Sequence, residues 1–156
     1  MNNQKGKRSM KILLATDGSA HSKAAVKEVG NRPFPPKTSI HIISVIDKIA
    51  LARNIGSIGI LSEYYTEAIH NALKSAEDAN EYAAKILSER NPLLSITTAV
   101  IEGSPKSVIL NEAETFGADL IVVGSHGYGA VERFMLGSVS HAVALHAKCS
   151  VEIVRK

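Results

Sequence analysis

The sequence has little cysteine, little aromatic character and no long apolar run. Its 156 residues contain one cysteine, Cys149, so an internal disulfide is impossible and a reducing compartment is favoured. Tryptophan is absent and aromatic residues make up 4%, which leaves few platforms for stacking nucleic-acid bases. No apolar stretch reaches membrane-spanning length or follows the basic N-terminus as in a signal peptide. We therefore expect a cytoplasmic protein with neither membrane nor nucleic-acid partners.

The positive charge of the chain is concentrated at its N-terminus. The net charge is +3, and Lys5, Lys7 and Arg8 lie within a nine-residue segment that contains no acid. The remainder of the sequence is therefore neutral, and its 45% of hydrophobic residues is typical of a globular protein. We predict a flexible, solvated basic tail over residues 1–9 and one domain over residues 10–156.

Short apolar segments alternate with helical patterns along this domain. Strands are predicted at 11–16, 38–46, 95–101, 119–123 and 150–154. Helices are predicted at 19–29, 63–90, 104–116 and 139–146, and a long mobile loop at 47–62. Most of the strands are continuously apolar, so we expect both faces of the sheet to be buried. The pattern predicts an α/β fold: a single-domain, doubly wound, five-stranded parallel sheet with helices on both faces.

Turn residues define the ends of two predicted helices. Ser19 is expected to cap the first helix and Gly30 to end it. Ser104 is expected to cap the third helix, which stops at Gly117. Both helices therefore have a start and a stop that local chemistry explains.

Three predicted strands end in residues suited to ligand binding. Thr16 and Asp17 follow the first strand, Val45 lies near the end of the second, and Gly124 follows the fourth. In doubly wound sheets, ligands bind outside the carboxyl ends of the strands, where the strand order reverses. Asp17 is suited to accept a hydrogen bond from a ribose hydroxyl or an adenine amine, to hold Mg²⁺, or to cap the following helix. Val45 is either an apolar wall for a base or ordinary core.

A spaced glycine pattern follows the fourth strand. Gly124 and Gly127 are separated by two residues, and Gly137-Ser138 follows after nine more. Glycines let backbone N–H groups approach a phosphate closely, and the N-terminus of the next predicted helix favours an anion. The pattern therefore predicts either a two-point phosphate clamp or a set of tight turns. The sequence contains neither the Gly-x-Gly-x-x-Gly order of dinucleotide folds nor a Gly-x-x-x-x-Gly-Lys-Ser/Thr loop.

Four segments resemble the universal stress protein family. They are KILLATDGS near the start, ADLIVVGSHG at the first glycines, LGSVS at the last glycine and the closing HAKCSVEIV, and the resemblance spans essentially Met10 to Arg155. The ATP-binding branch of the family has the pattern Gly, two residues, Gly, nine residues, Gly, then Ser or Thr, and this chain matches it without departure. The resemblance implies a strand order of 3-2-1-4-5, a homodimer, and binding of ATP with Mg²⁺ or Mn²⁺.

The resemblance also implies nucleotide contacts at particular positions. The expected adenine and ribose contacts are Ala15, Thr16, Asp17 and Val45, and Asp17 is also the candidate metal ligand. The expected ribose and phosphate contacts are Val123, Gly124, Gly127, Gly137, Ser138 and Val139. Ser125 and His126 lie inside the loop and are expected to reach the phosphates, while Ser138 and Ser140 resemble positions where some relatives carry phosphate. Arg133 is interpreted as a solvated side chain.

The remaining histidines and the cysteine have no predicted role in a site. The six histidines, at positions 21, 41, 70, 126, 141 and 146, do not show the spacing of a zinc site. Cys149 has no arrangement of partners that would make it a nucleophile, and we interpret it as packed or idle.

Three functions remain as hypotheses. The first is a dimeric, ATP-dependent stress-response or signalling protein, whose copies pair through the edge strand SVEIV in antiparallel fashion. The second is a slow ATPase or self-phosphorylating protein with Ser138 or Ser140 as the acceptor. No dedicated lysine follows the loop and His126 is the only nearby candidate base, so catalysis is expected to be absent or weak. The third is an interaction module that binds no nucleotide.

Overall fold

Strands and helices largely alternate in a computed structural model, which describes residues 9–55, 63–127 and 135–156. The strands are β1 Lys11–Ala15, β2 Ser39–Ile46, β3 Ser95–Glu102, β4 Leu120–Gly124 and β5 Ser150–Val154. The helices are α1 Ala20–Gly30, α2 Lys48–Ile55, α3 Glu63–Arg90, α4 Pro105–Phe116 and α5 Ser138–His146. The strands form one parallel sheet in the order β3-β2-β1-β4-β5, so the predicted fold class and strand order are confirmed.

Both faces of the sheet are covered by helices because the central strand is apolar on both sides. Ile12 and Leu14 of β1 belong to a core cluster that includes Val26 of α1 and Leu87 of α3. Leu13 belongs to the opposite cluster, with residues of β2, β4, α4 and α5, namely Ile43, Ile109, Ala113, Ile121, Val123 and Val143. All three β1 side chains are 0% exposed, which explains why this strand is continuously apolar.

Parallel pairing brings the carboxyl ends of three strands to one edge. Ala15, the last residue of β1, is level with Ile43 of β2, and Leu14 is level with Val122 of β4. The chain builds outward from β1 through β2 and β3 on one side, and through β4 and β5 on the other. The strand order therefore reverses between β1 and β4, where doubly wound folds bind their ligands.

Two helix ends differ in detail from the prediction. Gly30 is the last residue of α1 rather than its terminator, and Asn31 caps the helix with right-handed backbone angles. A Cβ atom on Gly30 would lie 2.8 Å from the Cδ atom of Arg90, so this glycine permits a close approach of α1 to α3. Ser104 occupies the N-cap position of α4 but makes no side-chain capping bond. Gly117 does cap α4 in the left-handed conformation, with φ of 69°, as predicted.

The predicted loop at 47–62 is wrong over its first half, where the chain forms α2. The Asp47 carboxylate accepts a hydrogen bond from the Ala50 N–H at 2.9 Å and so caps this helix. No residue of α2 is buried, so this helix contributes no side chain to the core. Residues 56–62 lie outside the described residues, as do residues 1–8 of the predicted tail.

The long helix α3 follows the predicted bounds and has one buried stripe. The buried residues are Ala76, Ala79, Asn80, Ala83 and Leu87, so one polar side chain lies among the apolar ones. The remaining faces of α3 carry many charged residues. Within the described ranges, no helix combines the length and the apolar character needed to cross a membrane.

Candidate functional site

The turn after β1 presents the first group of predicted site residues. Thr16 is buried, and its N–H donates to the Ile43 carbonyl at 2.9 Å, which extends the pairing of β1 with β2. Asp17 is exposed, and its Oδ1 atom accepts a hydrogen bond from the Ser19 N–H at 3.0 Å. Ser19 caps α1, since its Oγ atom accepts from the Ser22 N–H at 3.2 Å. Asp17 thus shapes the turn, while Ser19 supplies the cap, as predicted.

The segment after β4 leaves the sheet and returns to the same place. The Ser125 N–H donates to the carbonyl of Val154 at 2.8 Å, and the Ser125 carbonyl accepts from the Gly137 N–H at 2.8 Å. The His126 Nε2 atom is hydrogen-bonded to the Met135 carbonyl. We call Ser125, His126, Met135 and Gly137 the neck, because they join the two ends of the segment that contains the predicted phosphate contacts. Residues 128–134, including Arg133, lie outside the described residues.

The three glycines of the pattern have different neighbours. A Cβ atom on Gly124 would lie 2.7 Å from the backbone carbon of His21, so α1 passes directly over it. A Cβ atom on Gly127 would lie 2.8 Å from Oδ2 of Asp17. One on Gly137 would lie 3.0 Å from the Ser125 carbonyl oxygen. Close approach, rather than left-handed backbone, therefore explains these glycines, because the positive-φ glycines lie elsewhere in the described residues.

The N-terminus of α5 faces the neck. Gly137 is its N-cap and offers no side-chain acceptor, and the His141 N–H makes the first helical bond, to the Gly137 carbonyl at 2.9 Å. The N–H groups of Ser138 and Val139 therefore have no partner within the helix. Ser138 is exposed, whereas the Ser140 hydroxyl is buried and lies 2.9 Å from the carbonyls of both Ser125 and Gly137. An anion at this end would meet unpaired donors and the positive end of the helix dipole.

Four predicted contacts have side chains that face the core. Ala15, Val45 and Val139 pack against the core cluster of Leu13 and Ile43, to which Val123 itself belongs. Val45 lies two residues beyond Ile43, which is level with Ala15, so it lies past the end of β1. The side chains of these four residues therefore serve packing, and any contact they make with a ligand involves mainly their backbone.

A buried polar group that the sequence did not indicate supports the end of β1. The Ser44 Oγ atom lies 2.7 Å from the carbonyl oxygen of Thr16 and 2.9 Å from Oδ1 of Asn80. The Asn80 amide nitrogen in turn donates to the Ala99 carbonyl at 2.8 Å. The only indication in the sequence is the position of Asn80, directly after Ala79 in the helical apolar pattern. These contacts tie α3 to the strand end that presents Thr16 and Asp17.

His21 is a second residue that sequence reasoning missed. The Ser125 Oγ atom lies 3.3 Å from Nδ1 of His21 and 3.0 Å from Nδ1 of His126. The centroids of the two imidazole rings are 5.1 Å apart. The sequence carries no signal of this contact, because His21, the second residue of α1, is 104 positions away from Ser125.

Two titratable groups among the described residues have a raised pKa, and both lie away from this edge. The pKa of Arg32 is raised by its hydrogen bonds to Glu152 and Glu28, and burial raises the pKa of the Cys149 thiol. Cys149 lines a cavity of about 110 Å³ between α4 and the start of β5, and Asn80 borders an opening of about 360 Å³ between α3 and β3. Among the described residues, no group of three or more His, Cys, Asp or Glu side chains is arranged to hold a metal ion.

Sequence comparisons with known proteins match nearly the whole chain. A sequence model of the universal stress protein family matches residues 9–155. The chain belongs to this family. A universal stress protein of Methanocaldococcus jannaschii is 35% identical over 150 residues, which cover 94% of this chain and 82% of the relative. A putative universal stress protein of Staphylococcus haemolyticus is 32% identical over 145 residues, with 92% and 83% covered.

Solved structures share the fold over nearly the whole chain. A hypothetical protein that served as a test case of structural genomics matches with a TM-score of 0.79 and 25% identity, covering 94% of this chain and 95% of that one. A universal stress protein in complex with cAMP matches with a TM-score of 0.61 and 22% identity, covering 94% and 97%. An Arabidopsis thaliana family member with AMP bound matches with a TM-score of 0.65 and 20% identity, covering 94% and 92%.

Proposed function

We propose that this universal stress protein binds ATP, together with Mg²⁺ or Mn²⁺, at the carboxyl ends of β1 and β4, and acts as a dimeric, nucleotide-dependent signalling protein. One observation carries the proposal: Gly127 lies beside Asp17, while Gly137 and the N-terminus of α5, which has no side-chain cap, lie beside Ser125 and His126 at the neck. Family members with cAMP and AMP support an adenine nucleotide as the ligand.

The phosphates would be held mainly by backbone donors. Gly127 and Gly137 lack the Cβ atoms that would press on Asp17 Oδ2 and on the Ser125 carbonyl oxygen, so the two ends of the segment can pack closely beside the N-terminus of α5. The N–H groups of Ser138 and Val139 supply donors at the helix end, and the Ser138 hydroxyl is exposed beside them. The set of donors fits a polyphosphate better than a neutral ligand.

Asp17 is the group suited to the ribose or to a divalent cation. Its carboxylate is exposed at the end of β1 and lies close to Gly127 on the phosphate side. Mg²⁺ is usually bound by one or two carboxylates together with substrate phosphates rather than by a protein cage. A cation bound in this way would arrive with the nucleotide.

Calorimetric titration of nucleotide-stripped protein with ATP and excess Mg²⁺, and in parallel with AMP, tests the proposal. We expect ATP to bind more tightly than AMP, because the added phosphates reach the neck. Gly137→Val is expected to weaken ATP binding strongly, since its Cβ would press on the Ser125 carbonyl oxygen. Ala144→Val, which places a valine side chain on the exposed face of α5, is the control. Equal affinity of wild type and Gly137→Val would contradict the proposed site.

A second candidate function is phosphoryl transfer from ATP to a serine of the chain. Ser138 is exposed at the helix end, whereas Ser140 is buried and bonded to two carbonyls, so Ser138 is the better acceptor. Both ring nitrogens of His126 are engaged, by Ser125 and Met135, which disfavours it as the general base. Incubation with ATP and Mn²⁺ followed by mass spectrometry of the intact chain distinguishes this function from binding alone.

The same titration decides between nucleotide binding and a module that binds no nucleotide. If neither ATP nor AMP produces heat with stripped, folded protein, the glycine pattern serves only close packing, as it does at Gly124 beside α1. The proposed function would then fail, and an interaction role would be the better interpretation.

A further inference from the structure

Ser125 holds a buried hydroxyl between two imidazole rings. Its side chain is 0% exposed, and its Oγ atom lies 3.3 Å from His21 Nδ1 and 3.0 Å from His126 Nδ1. We call these three residues the triad. A hydroxyl has one hydrogen, so Ser125 donates to one imidazole and accepts from the other. The three side chains therefore form a directed hydrogen-bond chain.

The Met135 carbonyl sets the direction of that chain. A carbonyl can only accept, so the His126 Nε2 atom that contacts it must carry hydrogen. In neutral His126, Nδ1 is then an acceptor and receives the hydrogen bond from Ser125. Ser125 in turn accepts from the Nδ1–H of His21. These hydrogen bonds run from His21 on α1, through Ser125 after β4 and His126, to the Met135 carbonyl.

This arrangement accepts one added proton but resists a second. A proton on His21 leaves the direction unchanged, and a proton on His126 is accommodated when Ser125 turns to donate to His21. With both rings charged, two Nδ1–H groups would point at Ser125, and its own buried hydrogen would lose its acceptor. Two cations with ring centroids 5.1 Å apart would also repel each other. The triad therefore acts as a site for one proton.

The groups that face the triad come from several elements. The turn after β1 contributes Asp17, near Gly127, and the Ser19 hydroxyl, 3.5 Å from the His126 carbonyl oxygen. The helix α5 contributes the Ser140 hydroxyl, which contacts the Ser125 carbonyl, and β5 contributes only the Val154 carbonyl. Among these described groups Asp17 is the charged one. A polyphosphate at the neck would add negative charge in the same place.

We propose that His21 is a positioning residue of the phosphate site, acting through Ser125 and His126, and that the triad takes up a proton when a polyphosphate binds. This inference rests on the proposed function. Histidine changes charge in the physiological pH range, so the affinity for ATP is expected to be highest at the acidic end of that range. It is expected to fall as the pH rises and the added proton becomes harder to acquire.

The proton uptake is measured by titrating stripped protein with ATP and excess Mg²⁺ in Pipes and in Tris at one pH near neutrality. Tris has the larger ionisation enthalpy, so uptake makes the observed enthalpy more positive in Tris than in Pipes. The double variant His21→Asn/His126→Asn is expected to give equal enthalpies in the two buffers. His70→Asn, on an exposed position of α3, is the control and is expected to behave as wild type.

Two single variants separate positioning from simple packing. His21→Phe keeps a ring but removes the donor to Ser125, and we expect an affinity for ATP about tenfold lower. His21→Asn keeps a donor near the position of Nδ1 and is expected to recover most of that affinity, with a smaller difference between the two buffers. If His21 only fills space, His21→Phe will bind better than His21→Asn, and this result would overturn the inference.

The outcomes distinguish this inference from the function on which it rests. Binding of ATP with the same enthalpy in both buffers would overturn proton uptake but leave the proposed nucleotide site intact. Unchanged buffer dependence in the double variant would show that another group takes the proton, and would overturn the role of the triad. Absence of ATP binding by folded wild-type protein would remove the proposed function and this inference together.

Discussion

At the scale of single residues, Gly124 and Gly127 have different physical roles although they belong to one sequence pattern. A Cβ atom on Gly124 would meet backbone atoms of His21 and Ser22 at 2.7 and 2.8 Å, and a helix backbone cannot move aside cheaply. A Cβ atom on Gly127 would meet only the end of the Asp17 side chain, which can rotate. The first glycine therefore supports the fold, and the second lets the Asp17 carboxylate keep its position at the proposed site.

This difference predicts that one alanine substitution lowers stability and the other weakens ATP binding. Gly124→Ala is expected to lower the free energy of unfolding by about 1–3 kcal/mol, the usual cost of overpacking. Gly127→Ala is expected to leave stability within about 0.5 kcal/mol of wild type and to weaken ATP binding, because Asp17 is displaced. Urea unfolding measures the first effect and calorimetry the second. Equal stability of the two variants would contradict the assignment of Gly124 to packing.

Cys149 is expected to be a poor nucleophile with a pH-dependent effect on stability. Burial, and to a lesser extent the charge of Asp119, raises the pKa of its thiol, so the neutral form is favoured in the folded state. Its contribution to stability is present below the ordinary thiol range, near about 8.5, and is lost as the pH rises through the higher folded value. Iodoacetamide should therefore modify the folded protein more slowly than the unfolded one.

Urea unfolding at pH 7 and at an alkaline pH checks the sign of this effect. Wild type is expected to lose more stability than Cys149→Ala between the two pH values, because unfolding then releases the thiol proton. A wild-type loss no greater than that of Cys149→Ala would contradict the raised pKa.

At the scale of elements, α3 does more than cover one face of the sheet. Asn80 lies in its buried stripe, with its amide oxygen at the Ser44 hydroxyl and its amide nitrogen at the Ala99 carbonyl. Ser44 also contacts the Thr16 carbonyl, at the end of β1. The helix therefore fixes the ends of the strands that present the candidate site.

Asn80→Ala is expected to lower the free energy of unfolding by about 1–3 kcal/mol, because buried polar groups lose their partner. Asn71→Ala, at an exposed position of the same helix, is the matched control and should change stability by no more than about 0.5 kcal/mol. A small effect at Asn80, equal to that at Asn71, would show that water replaces the lost contacts. Chemical denaturation of both variants gives the comparison.

At the scale of the whole molecule, β5 forms one edge of the sheet, where we propose that a second copy of the chain pairs. The Val154 carbonyl accepts from the Ser125 N–H, so the backbone groups of Val154 face β4, as do those of Glu152 two residues before it. The backbone groups of Ile153 point the other way, to the open edge. Glu152 is also bonded to Arg32, so substitution there would disturb the monomer as well.

Ile153→Pro therefore tests the predicted antiparallel β5–β5 dimer more directly than a substitution at Glu152. It removes an N–H that faces the edge, and we expect light scattering to show a shift from dimer to monomer. Thr98→Pro makes the same change at the opposite edge, on β3, where the N–H also faces away from the neighbouring strand, and should leave the dimer intact. If the Ile153→Pro variant is still a dimer, the predicted β5–β5 interface is wrong.

The sequence by itself determined the alternation of strands and helices, the long helix from Glu63 to Arg90 and the glycine spacing after β4. These features are local: apolar periodicity, β-branched runs and turn residues act over a few positions. The tertiary structure alone decided that Gly30 permits helix packing, that Asp47 starts α2, and that His21 meets Ser125. Contacts between residues about a hundred positions apart leave no periodic trace in a single sequence, and the start of α2 depends on one capping side chain, that of Asp47.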